Sequence, residues 1–175
     1  MAYEYEFLTV NLDDRLAEVV IDNPPINLMT PQLYQELRGL CAELEVDENL
    51  SVVLFKSANP DFFIAHFDVE AILGFPTDEE PKREEELNPF HQMCEQVRTM
   101  DKVTIAQIEG RVGGGGSEFV SSMDMRFGVI DRTIINQMEV PIGILPGGSG
   151  TQRLPRLIGL GRAMEVVLGG GDLDA

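Results

Sequence analysis

Apolar positions fall along this chain in short runs whose period changes. Phe7 to Asn11 and Leu16 to Ile21 are apolar and β-branched, separated by the turn residues Asp13 and Asp14, which predicts a hairpin. Asn23-Pro24-Pro25-Ile26-Asn27 is a rigid connector, and Thr30-Pro31 supplies an N-cap followed by proline at the first helical position. From Gln32 to Val46 the period becomes helical, with Leu33, Leu37, Leu40, Cys41 and Leu44 on one face. Ser51 to Phe55 then predicts a short buried strand. Further along, Phe62 to Ala65 is a short apolar strand and Asp68 to Leu73 a helical turn. Pro89 to Met100 is a helix through Phe90, Met93, Cys94 and Val97, and Val103 to Ile108 is another buried strand. Met125 to Ile130 and Thr133 to Ile135 are short and apolar, Thr151 to Gly159 and Arg162 to Leu168 read as two short helices, and Gly169 to Ala175 offers no closing element. Strands come in pairs, each pair followed by a helix. The pattern is α/β.

The run Gly113-Gly114-Gly115-Gly116-Ser117-Glu118 interrupts this rhythm after the strand ending at Ile108. Without β-carbons, that backbone lets another group approach its amides. Ser117 reads as the N-cap of a helix over 119–127, whose first amides would point outward at the positive helix end. Glu118 stands in the same turn, so amide donors and a carboxylate converge. Either this is an oxyanion hole beside an acid/base group, or it is a tight turn packed on another backbone. A second carboxylate, Glu139, lies in the loop Asn136 to Pro141. The chain carries no G-x-G-x-x-G, G-x-x-x-x-G-K-[ST] or G-x-S-x-G motif, which removes support for nucleotide folds and nucleophile-elbow hydrolases.

Composition narrows the class. The 175 residues suit one domain, 1–175, with a real core. A net charge of -17 argues against nucleic acid, which needs basic patches. Cys41 and Cys94 lack zinc-ligand spacing and read as reduced core thiols of a cytoplasmic protein; no metal site is expected. The acidic runs Asp78-Glu79-Glu80 and Glu84-Glu85-Glu86 read as solvated loop and helix start, not a metal site. No signal peptide is evident and no window is apolar enough to span a membrane. Ser117 and Ser149 are expected to cap helices, and His66 to be packed or solvated.

A string of motifs resembles one family. Thr104-Ile105-Ala106-Gln107-Ile108-Glu109-Gly110, the glycine run with Glu118, Asp124-Met125-Arg126-Phe127, Glu139-Val140-Pro141-Ile142-Gly143 and Leu145 to Leu154 follow in the order of the crotonase (enoyl-CoA hydratase/isomerase) superfamily. Val20 to Pro24 and Phe63 to Asp68 fit its earlier segments more loosely. The resemblance implies a crotonase-like spiral of ββα units, lacking here the usual C-terminal helical region, and assembly as a homotrimer or dimer of trimers. It implies an acyl-CoA substrate, with coenzyme A part of the thioester and no prosthetic group. It assigns the oxyanion amides to Phe67 and Gly115, and the acid/base pair to Glu118 and Glu139. Ala65, His66, Asp68, Gly114, Pro141 and Gly147 would contact substrate, while Asp124 and Arg153 would be structural, as would any fixing of the loop by Asp68. Glu70 departs from the family pattern, which often has a lysine there near the coenzyme A phosphates. The expected reaction is hydration of an enoyl thioester. An isomerase, thioesterase or carbon–carbon hydrolase stands as the alternative within the family, and a non-catalytic acyl-CoA binding or assembly protein outside it.

Overall fold

Successive strand pairs divide between two sheets, and that division makes the spiral. The computed structural model describes residues 3–76, 78 and 85–175. Strands β1 (Leu8–Asp13) and β2 (Leu16–Ile21) form the expected hairpin, followed by helix α1 (Pro31–Val46). Three strand pairs come next: β3 (Val52–Ser57) with β4 (Phe62–Ile64), β5 (Val103–Ile108) with β6 (Arg111–Gly113), and β7 (Met125–Gly128) with β8 (Ile134–Asn136). The first of each pair joins the sheet β1-β2-β3-β5-β7, parallel beyond its hairpin. The second joins the sheet β4-β6-β8, also parallel, which is closed by an antiparallel β9 (Asp172–Asp174). Between the pairs lie α2 (Val69–Leu73), α3 (Pro89–Thr99) and α4 (Gly115–Ser121); α5 (Gly150–Ile158) and α6 (Leu160–Gly169) follow a 3₁₀ turn at Val140–Ile142.

The core forms where the patterns said it would. Leu33, Leu37, Leu40, Cys41 and Leu44 of α1 pack with Val19, Ile21, Val53, Phe55, Ala106 and Ile108 of the first sheet. Thr30 caps α1 by accepting from the Leu33 amide at 3.2 Å, with Pro31 in the first turn. A second small cluster, Leu154, Ala163 and Val166, holds α5 to α6.

Three expectations are corrected and one strand is added. The helix after the glycine run spans Gly115–Ser121 rather than 119–127, so Ser117 lies inside it with a buried hydroxyl that has no partner among the described residues. It starts early because Gly114 turns the chain at φ +49°, and it stops because Asp124 bonds the Thr104 amide and hydroxyl at 2.8 and 3.0 Å, drawing 125–128 into the first sheet. Ser149 occupies the N-cap position of α5 at φ +93°, but its side chain caps nothing and accepts from Arg153 Nε at 3.3 Å instead. Arg111–Gly113, which lacks an apolar run, is a strand. The chain end does close: Gly170 caps α6 in the left-handed region and β9 pairs with β8, tied by Arg111 to Asp172 at 2.5 and 2.7 Å. The acidic runs near residues 78–86 fall partly outside the described residues; Glu85 and Glu86 are exposed.

Candidate active site

The glycine run lies against the segment that follows β4, and the contact is closer than side chains would permit. A Cβ on Gly116 would stand 2.8 Å from the Cβ and carbonyl oxygen of Ile64, and one on Gly115 3.2 Å from the Phe67 Cβ. Close packing and free amides, posed as alternatives from the sequence, occur together. Gly114 N–H donates to Asn136 O at 3.0 Å, whereas Gly115 N–H, the first of α4, donates to no backbone group among the described residues. Phe67 is placed by a parallel bridge to Met29: Met29 N–H donates to His66 O at 2.9 Å and Asp68 N–H to Met29 O at 3.1 Å. In such a bridge the bonds use the flanking residues, so the Phe67 N–H points to the other side, toward the glycine run.

Two carboxyls stand beside these amides. Glu118, on the first turn of α4, is 3% exposed and Glu139, just before the 3₁₀ turn, 6%. Glu118 accepts from Gly148 N–H at 2.8 and 2.9 Å and from Gly150 N–H at 2.7 Å. Glu139 accepts from Gln137 Nε2 through both oxygens at 2.9 Å. Burial pushes the Glu118 carboxyl up to about 8; the Gly150 and Gly148 amides oppose that rise and the nearby charge of Glu139 adds to it. Burial raises Glu139 too, against the Gln137 hydrogen bond. Neither carboxyl has a cationic ion-pair partner among the described residues.

Both carboxyls open on one cavity of about 590 Å³, with Phe67, Gly115, Gly147 and Gly148 in its wall. The rest of the lining is apolar. Tyr34, Phe67 and Phe90 form an aromatic triad with ring centroids 5.7 to 6.1 Å apart, and Ile72, Phe75, Ile144 and Leu145 continue it. A larger depression of about 640 Å³ between α1 and α3, lined by Gln35, Arg38, Glu45 and Gln96, contains neither carboxyl. An apolar cavity with two raised carboxyls beside main-chain amides has the chemistry to move a proton next to a developing negative charge.

This geometry sits in a chain whose residues 12–175 match the profile of the enoyl-CoA hydratase/isomerase family. The chain belongs to that family. Solved structures with the same fold include a candidate enoyl-CoA hydratase from Streptomyces avermitilis, 35% identical at a TM-score of 0.85, the match covering 98% of this chain and 64% of that one. DspI of Pseudomonas aeruginosa is 28% identical at 0.85, covering 99% and 65%. An enoyl-CoA hydratase from Bacillus anthracis is 26% identical at 0.82, covering 97% and 65%. The chain thus spans just under two thirds of the length of these structures.

Within this hydratase/isomerase core, Phe67, Gly115, Glu118, Glu139 and Gly147 share the cavity. Gly114 lies beneath Glu139, where a Cβ would stand 3.3 Å from its Oε1. Four other expected contacts lie elsewhere. Ala65 and His66 border a separate depression of about 260 Å³ with Arg111 and Asn136. His66 Nδ1 lies 2.8 Å from Phe67 O. Asp68 caps α2 through the Glu70 and Ala71 amides at 2.9 and 3.4 Å. Pro141 packs on Gly170 at the end of α6. Glu70 itself is exposed on the first turn of α2. Unforeseen from the sequence were Gln137, the aromatic triad and the two amides that grip Glu118. Only the spacing of Gln137, two residues before Glu139, offered a signal; Tyr34, Phe67 and Phe90 come from three separate segments.

Proposed function

We propose that this chain adds water across the double bond of an α,β-unsaturated acyl thioester of coenzyme A. The observation that carries the reading is the pair Glu118 and Glu139, buried on one cavity beside the Gly115 and Phe67 amides, which are unpaired among the described residues. The thioester carbonyl oxygen sits between those two N–H groups, and the acyl chain lies along the aromatic and aliphatic wall. One ionised carboxylate takes a proton from water as its oxygen bonds to the β-carbon. Negative charge moves to the carbonyl oxygen as the enolate forms. The second, protonated carboxyl then delivers its proton to the α-carbon, completing the addition of one water. Each fixed amide is worth about 3–4 kcal/mol of barrier, and each proton transfer about 10²–10⁴-fold in rate. Two carboxyls in one dry site suit opposite protonation states, since both cannot be charged at low cost.

Coenzyme A enters as part of the substrate. Glu70 would repel its phosphates, so they are held by another part of the surface. The test is direct. Incubating purified protein with a short enoyl-CoA is expected to bleach the conjugated thioester absorbance and yield the 3-hydroxyacyl product by mass. Recovery of a shifted double bond with no added water would assign isomerisation instead, and no turnover with no acyl-CoA binding would discard the enzyme reading.

A further inference from the structure

Ser149 stands between the two glycines whose amides grip Glu118, and its backbone is strained. Gly148 N–H donates to the Glu118 oxygens at 2.8 and 2.9 Å and Gly150 N–H at 2.7 Å. Between them Ser149 is held at φ +93°, in the left-handed region that a residue with a side chain rarely enters. Strain of this kind persists only where surrounding contacts over-determine it. The Ser149 hydroxyl caps no amide of α5. It meets Arg153 one turn on, whose Nε donates to Ser149 Oγ at 3.3 Å. Arg153 is anchored in turn on α3: its Nη2 pairs with Glu95 Oε1, and its side chain is only 12% exposed. The other Glu95 oxygen accepts from Arg98 at 2.6 and 3.0 Å. A line of charge-assisted contacts therefore runs from the surface of α3, through a mostly buried guanidinium, to the strained residue between the two amides.

We propose that Arg153 is a positioning residue: braced on Glu95, it holds the Ser149 turn so that the Gly148 and Gly150 amides stay aimed at Glu118. This deepens the hydratase reading and rests on it for the kinetic consequences only. The turn has little slack. A Cβ on Gly148 would stand 2.3 Å from Phe90 Cε1 and 2.4 Å from Glu118 Oε2, so a shift toward the cavity meets the ring and the carboxyl. A shift away stretches all three amide bonds. Arginine suits the task because its fork spends Nη2 on Glu95 and Nε on Ser149 at once; an ammonium is a single point of charge. The two amides favour the ionised form of Glu118, so a loosened turn moves its titration upward. Glu139, ahead of the 3₁₀ turn, and Cys94 of α3 also face Glu118, and burial pushes the Cys94 thiol up to about 12.

Infrared titration of the carboxyl signal that Glu118→Gln removes, made without substrate and joined to enoyl-CoA kinetics, tests this. Arg153→Lys keeps the charge and the pairing with Glu95 but loses the fork. Its carboxyl midpoint is expected to rise by about half a pH unit and kcat to fall about tenfold, with KM and thermal midpoint close to wild type. Ser149→Ala, which removes only the acceptor, is expected to do the same. The double variant is expected to be no worse than the worse single, since both act on one brace. A carboxyl midpoint and kcat that stay at the wild-type values in both single variants, whatever happens to thermal stability, reduce the contact to a structural tie and overturn the proposal. A double variant whose losses multiply does so too. Should Arg153→Lys fail to fold, Ser149→Ala decides alone. Displaced carboxyl midpoints with no enoyl thioester hydrated by the wild-type protein leave the brace standing and remove the hydratase reading.

Discussion

Glu118 shapes how the fold responds to pH as well as any chemistry. Its carboxyl titrates near 8 when folded and near 4.5 when unfolded. Between those values the folded protein keeps a proton that the unfolded chain has released, so raising pH favours unfolding. The slope of this contribution is about 1.4 kcal/mol per pH unit, and Glu139, also raised, acts in the same direction. Stability is therefore expected to decline from about pH 5 to 8, and Glu118→Gln to flatten that decline in urea titrations at several pH values; an equal slope in the variant would refute the assignment. The same replacement is expected to slow hydration by about 10²–10⁴-fold. Gly148 gives a steric counterpart. A Cβ there would overlap both the Phe90 ring and Glu118 Oε2, so Gly148→Ala is expected to cost about 1–3 kcal/mol in thermal unfolding and to displace the carboxyl.

At the scale of elements, the segment carrying the Phe67 amide depends on a residue far from the cavity. Asn27 is fully buried at φ +49°, a conformation asparagine tolerates. Its Oδ1 accepts from the Asn23 amide at 2.7 Å, and its Nδ2 donates to Ser57 Oγ at 2.7 Å and to Phe63 O at 3.1 Å. It thereby ties the connector after β2 to the ends of β3 and β4, and two residues later Met29 forms the bridge that aims Phe67. Asn27→Ala is expected to lower stability by about 2–4 kcal/mol in chemical denaturation and to raise KM for an enoyl-CoA. Elements of this kind separate what the sequence discloses from what it hides. The helical spacing of Leu33 to Leu44 and the Thr30-Pro31 start were legible because they are local. So was Glu118, because the glycine run flags close approach. The Gly148 and Gly150 amides were not, because their meaning lies in Glu118, 30 or more residues away. Ser117 misled for a physical reason: a good cap residue is also a small one, and here smallness inside α4 decided its place.

The molecule as a whole joins a strongly acidic surface to exposed apolar side chains. Leu157, Ile158, Leu160, Met164 and Leu168 of α5 and α6 are exposed, and so are Phe127, Val129 and Ile130 at the free edge of the first sheet. Surface of this kind is a common basis of association between copies. A net charge of -17 opposes that association, and salt screens the opposition over about 10 Å at 0.1 M. Sedimentation velocity is therefore expected to show a mass above 19.4 kDa that grows with added salt, and Leu160→Glu with Met164→Glu to return it toward one chain. A monomer at every salt concentration would refute this. No helix among the described residues is long and apolar enough to cross a membrane.

Among the described residues every donor that grips Glu118 belongs to the main chain, as do the two amides proposed for the carbonyl oxygen. Single codon changes alter side chains and leave those N–H groups in place, proline excepted. A saturation scan of Gly114, Gly115, Gly148 and Gly150 would thus report intolerance to bulk, with no side chain whose loss marks a donor. Replacing one peptide link by an ester, through semisynthesis or an α-hydroxy acid, deletes a single N–H and keeps the shape. That backbone edit, made at Gly115 or Gly150, is the perturbation that would weigh each donor by itself.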